Sequence, residues 1–250
     1  MIENQGLCAK KEKLADMVNI HKWYGRICAL KDVNFTVGYN EVVGLVGDNG
    51  AGKSTLIKIL SGYHKPDKGE ILFEGKKVVF NSPAEARTLG IETVYQEQAL
   101  APHQSIAKNI FIGREMTKML GLIDGKKMNE ESMKALRRIG LHLRSPDIPV
   151  ESLSGGERQG VAIARATYFS AKLIILDEPT AALSIKEAQK VLEFVELLRD
   201  EGISAVFITH NLYHVFPVAD RFVVLSHGEK VADVGKEETS IDELSKLIVS

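Results

Sequence analysis

A glycine-rich segment that follows a short apolar run constrains the fold of this chain more than any other part of the sequence. Gly47–Ser54 fits the pattern G-x-x-x-x-G-K-[ST], the run Val42–Val46 precedes it, and Thr55–Leu60 can continue as a helix. A strand, a glycine loop and a helix in this order let successive backbone N–H groups point at phosphate oxygens, with the positive end of the helix dipole behind them. The segment therefore predicts a nucleotide-binding α/β fold.

Two side chains of this phosphate loop, Gly47–Ser54, supply the chemistry that phosphate groups need. Lys53 is expected to reach the β- and γ-phosphates, and the Ser54 hydroxyl to ligate a Mg²⁺ ion that bridges them. The alternative, a chance glycine-rich turn, leaves the strand before the loop and the helix after it unexplained. The residues predicted to bind ATP here are Gly47, Asp48, Asn49, Gly50, Ala51, Gly52, Lys53, Ser54 and Thr55.

The remaining hydrophobic pattern agrees with an α/β class. Nearly continuous apolar runs predict strands buried on both faces of a mostly parallel sheet; they are Val42–Val46, Ile91–Val94, Leu173–Leu176 and Ala205–Ile208. Shorter segments predict an antiparallel β layer around the phosphate loop; they are Val33–Val37, Ile71–Phe73 and Val78–Phe80. Helical periodicity is clearest from Ile185 to Leu198, and Ser105–Ile112 and Glu131–Ile139 predict a helical lobe between Gln98 and Ser152.

Composition narrows the class of protein. With 250 residues, 44% of them hydrophobic and 26% charged, the chain is expected to form one domain with an inserted lobe. A formal net charge of -1 gives no electrostatic reason to expect a nucleic-acid partner. No apolar run approaches the roughly 18 residues of a membrane span, and no signal peptide is evident, so a cytoplasmic location is expected. Cys8 and Cys28 are interpreted as free thiols.

Two adjacent carboxylates follow one of the predicted core strands. Leu173–Leu176 runs into Asp177 and Glu178, at the carboxyl end of a strand, where α/β sheets bind their ligands. Asp177 is expected to hold the Mg²⁺ shell and Glu178 to orient or deprotonate the attacking water. The two acids could instead cap a helix that begins near Thr180. The phosphate loop favours the catalytic interpretation.

A second anion-binding loop precedes another helical stretch. Leu153–Glu157 carries a serine and two glycines immediately before the predicted helix Arg158–Phe169. With both loops present, the chain closely resembles the ATP-binding subunits of ABC transporters from about Val18 to Val234. In that family this signature loop grips the γ-phosphate of an ATP molecule held by the opposite subunit. The residues so predicted to bind ATP in trans are Leu153, Ser154, Gly155, Gly156 and Glu157.

The resemblance implies a P-loop NTPase core of the RecA-like type, with an antiparallel β subdomain and an inserted helical lobe. It divides one ABC ATPase domain, 1–250, into a catalytic core with the β subdomain (16–97 and 160–235), a helical lobe with the signature loop (98–159) and a C-terminal helix (236–250). The cofactors it implies are ATP and Mg²⁺. The subunits of this family pair head to tail.

Three further site residues come from the resemblance. Tyr24 stands where the family stacks an aromatic ring on adenine, with packing into the core as the alternative. Gln96 matches the glutamine that contacts Mg²⁺ and water and links the site to the helical lobe. His210 matches the histidine that contacts the γ-phosphate and helps to hold Glu178; its spacing from His214 also fits a zinc helix, but Asn211 stands where that motif has glutamate. The catalytic set is therefore Glu178, His210 and Gln96, with Ser54, Gln96 and Asp177 as metal ligands.

Two positions depart from the commonest family pattern. Glu157 replaces the more frequent glutamine of the signature loop, and Ser184 replaces the aspartate that usually contacts the opposite subunit's phosphate loop. The second departure predicts slower or less cooperative ATP turnover. Restoring aspartate at Ser184 is expected to raise the rate or the cooperativity.

Several segments resemble the ATPases of bacterial importers for ribose, xylose and fructose. They are Asp48–Asn49, Tyr95–Glu97 and Ser105–Glu115. The expected function is to power a monosaccharide importer, with the chain as a homodimer on the inner face of the cell membrane. Permease subunits would dock on the helical lobe near Gln96–Phe111, and an extracellular or periplasmic sugar-binding protein would deliver the substrate. The alternatives are a non-transport ABC ATPase and a nucleotide-gated dimerisation module; the sequence names no sugar.

Overall fold

The computed structural model describes residues 12–95 and 99–249, with Leu120 and Val249 described by their backbone alone. Its strands are β1 (Lys13–Tyr24), β2 (Ile27–Gly38), β3 (Val42–Val46), β4 (Lys68–Phe73), β5 (Lys76–Val78), β6 (Ile91–Val94), β7 (Leu173–Asp177), β8 (Ser204–Ile208), β9 (Arg221–Ser226) and β10 (Glu229–Gly235). Its α-helices are α1 (Lys53–Leu60), α2 (Pro83–Thr88), α3 (Ile106–Phe111), α4 (Gly125–Arg138), α5 (Gly155–Tyr168), α6 (Ile185–Asp200), α7 (Leu212–Val215) and α8 (Ile241–Val249).

The central sheet has the strand order β10-β9-β3-β8-β7-β6. The pairings from β9 through β6 are parallel, and only β10 runs antiparallel to its neighbour. All four apolar runs predicted as core strands lie in this sheet, which confirms that prediction. The strand β9 was not among the predicted ones, although Phe222–Leu225 is an apolar run of the same kind.

A second, antiparallel sheet has the order β2-β1-β4-β5 and confirms the predicted β layer. Its strand boundaries differ from the predicted ones: β2 and β4 begin earlier, at Ile27 and Lys68, and β5 ends at Val78, with Phe80 buried beyond the strand rather than within it. The long strand β1 was not predicted, because register shifts against β2 interrupt its pairing and Asn19 has a positive φ of 51°. Such irregularities disturb the two-residue alternation by which a strand is identified in a sequence.

The central sheet separates two hydrophobic cores. Along β3, Val43 and Leu45 face the core shared with the antiparallel sheet and α1, whereas Val42 and Val46 face the core shared with the other helices. Every residue of β3 and β8 is buried, which explains why these strands are continuously apolar rather than alternating. The phosphate loop follows β3, and its Ala51 packs into the core shared with the antiparallel sheet.

The predicted helical lobe contains α3 and α4, and two of its helix boundaries differ from expectation. The helix α4 begins at Gly125, six residues before the predicted Glu131, because Asp124 caps it by accepting a hydrogen bond from the Lys127 N–H. Similarly, α5 begins at Gly155 instead of Arg158, because Ser154 caps it. The domain boundaries themselves stay a prediction. Within the described ranges, none of the helices is both long and apolar enough to cross a membrane.

Candidate active site

The phosphate loop closes around the ammonium group of its own lysine. Lys53, the first residue of α1, is buried, and its Nζ donates hydrogen bonds to the carbonyl oxygens of Gly47 (2.7 Å) and Asp48 (2.9 Å). Burial lowers the pKa of Lys53, while the charges of Glu178, Asp48 and Asp177 act in the opposite direction. A poorly solvated ammonium at a helix start is suited to bind phosphate oxygens.

Two glycines of the loop are required by close backbone approach. Gly47 has φ +150°, and a Cβ there would lie 2.2 Å from the carbonyl oxygen of Leu225 on β9. Gly52 has φ +102°, and a Cβ there would lie 2.9 Å from the carbonyl oxygen of Ala29. Because these neighbours are backbone atoms of regular strands, only glycine fits at either position. The sequence pattern is therefore also a packing requirement.

The acidic pair lies at the carboxyl end of β7, as predicted. Asp177 is the last residue of the strand, and Glu178 has a left-handed φ of 49° with its N–H donating to the Ile208 carbonyl at 2.9 Å. This conformation is uncommon for a residue that carries a Cβ, and such strain clusters at functional sites. Burial, and then the neighbouring Glu178 charge, raise the pKa of Asp177.

The oxygen atoms of two side chains in this region are suitable ligands for a Mg²⁺ ion. Asp177 and Ser54 line the same cleft and offer a carboxylate and a hydroxyl, the oxygen ligands that this ion prefers. Burial, and then the Glu178 charge, raise the pKa of Asp177, and a divalent cation beside it would favour the ionised carboxylate. The two residues are therefore suited to hold the ion together with phosphate oxygens.

Three donors from the end of β8 hold the carboxylate of Glu178. The Thr209 hydroxyl donates to Oε2 at 3.0 Å, and the His210 backbone N–H donates to Oε1 at 3.1 Å. The His210 Nδ1 also lies 2.8 Å from Oε1, and because an ionised carboxylate only accepts, this nitrogen carries the proton. Glu178 is thereby fixed at the carboxyl end of β7 in an orientation that an attacking water could use.

One cleft, with a volume of about 340 Å³, brings most of the predicted site together. From the predictions it contains Asn49, Gly50, Ala51, Gly52, Lys53, Ser54, Thr55, Asp177, Glu178 and His210. Gly47 and Asp48 form the base of the loop and contact Lys53. Ala29 and Ile208 also line the cleft but were not predicted, because a small or apolar side chain carries no chemical signal in a sequence. Thr209 was missed too, although it directly precedes His210.

Tyr24 does not lie in this cleft. It stands at the end of β1 and is 43% exposed, and its ring packs edge-on against His64 at 5.7 Å. The exposure of this ring differs from the alternative of core packing and leaves the ring accessible for stacking. Stacking of Tyr24 on adenine stays a prediction. Gln96 lies outside the described residues.

The signature loop forms the start of α5. Ser154 Oγ accepts a hydrogen bond from the Glu157 N–H at 3.3 Å, and Glu157 Oε2 accepts one from the Ser154 N–H at 2.8 Å, which makes a reciprocal capping box. Glutamate at position 157 thus has a structural role in this chain. None of the five residues Leu153–Glu157, all of them described, lines the cleft of the phosphate loop.

Comparison with known proteins supports the interpretation of these motifs. The sequence model of the ABC transporter family matches residues 30–181, which include the phosphate loop, the signature loop and the acidic pair. The chain belongs to the ABC transporter family. Membership confirms the P-loop NTPase fold and the ATPase activity that the motifs predict.

Among curated relatives of this ABC ATPase, the xylose/arabinose import ATP-binding protein XylG of Sulfolobus acidocaldarius is 53% identical, covering 95% of this chain and 94% of the relative. The fructose import ATP-binding protein FrcA of Rhizobium meliloti is 44% identical, covering 89% and 88%. The ribose import ATP-binding protein RbsA 1 of Streptomyces coelicolor is 42% identical over 92% of this chain, but the chain spans only 46% of that relative.

Solved cassettes share the whole architecture of the ABC ATPase. An ATP-binding cassette of an ABC transporter in its ADP conformation superposes with a TM-score of 0.82 at 29% identity, covering 96% of both chains. A dimeric cassette in a post-hydrolysis state, bound to ADP and Pi, superposes with a TM-score of 0.75 at 27% identity, covering 89% of this chain and 98% of the other. This cassette shows the fold as a dimer that holds the products of ATP hydrolysis.

Proposed function

We propose that the chain acts as a head-to-tail homodimer that binds ATP between the phosphate loop of one protomer and the signature loop of the other. Hydrolysis of this ATP powers an importer of a monosaccharide. The separation of the two loops carries the proposal, because a single chain has two anion-binding helix starts that do not share a cleft. A second copy related by two-fold symmetry would place each signature loop over the partner's cleft.

The geometry of the cleft suggests how hydrolysis proceeds. The N–H groups of the phosphate loop and the Lys53 ammonium bind the β- and γ-phosphates. Glu178, held by Thr209 and His210, orients a water molecule in line with the γ-phosphorus and accepts its proton as the new P–O bond forms and the bond to ADP breaks. A Mg²⁺ ion held by Ser54, Asp177 and Gln96 would offset the charge on the transferring phosphate.

The kind of cargo is inferred from the relatives. The three described above are named as import proteins for xylose/arabinose, fructose and ribose, so this chain is proposed to serve the import of a monosaccharide. The ATPase itself does not contact the cargo, and the sugar is selected by permease subunits and an extracellular or periplasmic binding protein. Docking of the permease on the helical lobe near Gln96–Phe111 would hold the dimer at the inner face of the membrane.

Glu178→Gln tests the enzymatic part of the proposal. The amide cannot accept the water proton, so phosphate release should fall by about 100-fold or more while ATP still closes the dimer. Size-exclusion chromatography with light scattering should show a dimer with ATP and a monomer with ADP. Glu193→Gln, exposed on α6, is the matched control and should hydrolyse ATP like the unchanged chain.

A Glu178→Gln protein that releases phosphate normally, or that stays monomeric with ATP, would contradict the proposal. Unchanged chain that releases no phosphate even with its permease would favour a nucleotide-gated dimerisation module. If the chain is purified from its own cells and no membrane protein copurifies with it, a non-transport ABC ATPase would be favoured.

A further inference from the structure

The carboxylate of Glu187 joins the starts of two helices. Its Oε2 accepts hydrogen bonds from the Ser184 hydroxyl at 2.7 Å and from the Ser184 N–H at 3.0 Å, which caps α6. Its Oε1 accepts a hydrogen bond from the Gly156 N–H at 3.3 Å, at the start of α5. One side chain therefore bonds both to the signature loop and to the segment that enters α6.

Direct packing reinforces this bridge. A Cβ on Gly155 would lie 2.6 Å from Leu183 Cδ2, and one on Gly156 would lie 3.1 Å from Glu187 Cβ. The two glycines of the signature loop thus let α5 and the start of α6 touch without intervening side chains. Displacement of one helix start would displace the other, because close-packed interiors transmit small shifts.

The segment that enters α6 begins at the catalytic carboxylate. Residues 179–184, here called the connecting segment, follow Glu178, and the Ala181 N–H donates to the Glu178 carbonyl at 3.1 Å. The capping box at Ser184 then fixes the other end of the connecting segment to Glu187. A continuous chain of contacts therefore runs from Glu178 through the connecting segment and Glu187 to Gly156.

In the proposed dimer these two ends belong to different ATP sites, since Glu178 serves the protomer's own nucleotide and the signature loop serves the partner's. We propose that Glu187 is a positioning residue that couples the two ATP sites by holding the signature loop and the connecting segment as one unit. This inference rests on the proposed function, because the two ends serve different nucleotides only in a head-to-tail dimer.

The bridge also accounts for serine at position 184. The Ser184 hydroxyl donates a hydrogen bond to the Glu187 carboxylate, whereas an ionised aspartate there could only accept one. Two carboxylates at this separation would repel, so Ser184→Asp should weaken the bridge. The expectation that aspartate would raise cooperativity is therefore reversed for this chain as long as Glu187 is present.

Glu187→Ala in the full chain tests the coupling. The Hill coefficient of hydrolysis against ATP concentration should fall towards one, and the half-saturating ATP concentration should rise about tenfold or more, the effect of one charge-assisted hydrogen bond. Binding of a fluorescent ATP analogue to the dilute monomer should stay unchanged. Glu193→Ala, on the exposed face of the same helix, is the matched control and should alter none of these values.

A conservative variant separates coupling from a merely structural effect. In Ser184→Asn, the side-chain NH2 can donate to the Glu187 carboxylate while the side-chain carbonyl accepts the Glu187 N–H, the two roles that the serine hydroxyl has. Ser184→Asn should therefore keep the Hill coefficient that Ser184→Asp loses. An unchanged Hill coefficient in Glu187→Ala, or an equal loss in Ser184→Asn and Ser184→Asp, overturns the inference. Failure of the unchanged chain to hydrolyse ATP would overturn the proposed function instead.

Discussion

Gly47 and Gly50 lie in the same loop and have positive φ angles, but their surroundings differ. A Cβ on Gly47 would overlap the Leu225 carbonyl at 2.2 Å, whereas nothing lies within 4 Å of one on Gly50, where φ is +82°. Gly47→Ala should therefore lower the free energy of unfolding by at least ~3 kcal/mol and abolish ATP binding. Gly50→Ala should cost only about 1 kcal/mol, from the left-handed backbone. Urea denaturation compares the two; equal losses would contradict the packing argument.

Glu187 makes stability depend on pH in a defined direction. Hydrogen bonds from the Ser184 hydroxyl and N–H, and then from the Gly156 N–H, lower the pKa of Glu187 from 4.5 to about 2. A depressed pKa contributes stability that is fully present above the unfolded value and is lost as the pH falls towards the folded one. The stability difference between the unchanged chain and Glu187→Gln should therefore be constant above about pH 5 and shrink below it. Thermal unfolding at several pH values measures this difference, and a difference that grows in acid would contradict the assigned hydrogen bonds.

Site residues were predictable where a motif fixes both residue type and spacing. Lys53, Ser54, Asp177 and Glu178 belong to this class, and the structure brings all four to one cleft. Thr209 and Glu187 were not predicted, because their importance comes from hydrogen bonds to residues about 30 positions away. Such pairings arise from tertiary structure and leave no local pattern.

At the scale of elements, buried strands were the most predictable and irregular ones the least. The runs that became β3, β6, β7 and β8 are apolar because both faces of the central sheet are covered. Helix starts were placed late at α4 and α5, because amphipathic periodicity begins after the polar cap that starts the helix. Caps therefore set the boundaries that hydrophobic patterns alone do not show.

Arg221 ties the two sheets together and should be essential for stability. Its Nε donates to the buried Glu41 Oε1 at 3.0 Å, and its Nη2 donates to the Thr36 carbonyl on β2 at 2.8 Å. Arg221→Ala leaves the Glu41 carboxylate without this guanidinium in a buried setting, which should cost about 3 kcal/mol or more. The exposed pair of Arg138 with Glu201, at 3.8 Å, provides a control. Arg138→Ala should cost less than about 1 kcal/mol in chemical denaturation, and similar losses would contradict the assignment.

At the scale of the whole molecule, the proposed function requires two chains for each complete ATP site. The cleft beside the phosphate loop supplies a lysine, a carboxylate pair and a histidine, but the signature loop of the same chain lies outside it. The resemblance to ABC transporter ATPases, based on the two loops, predicted that one ATP molecule is bound by loops from two different subunits. The sequence could not show that the loops are apart in one protomer, because that depends on how the helical lobe packs on the central sheet.

Mixing two inactive variants tests the sharing of ATP between protomers most directly. Lys53→Met disables the phosphate loop but keeps most of the apolar stem. Ser154→Asp retains a good helix cap while placing a negative charge where the γ-phosphate would arrive. Each variant alone should release almost no phosphate, since every composite site in its homodimer has one damaged half.

A mixed dimer contains one site with both halves intact, the Lys53 of one protomer and the Ser154 of its partner. The account predicts that mixing the two proteins restores ATP-dependent dimers and a substantial part of the phosphate release. If the mixture stays as inactive as its components, while both variants remain folded and Lys53→Met alone fails to bind ATP, the two loops do not share a nucleotide across the dimer.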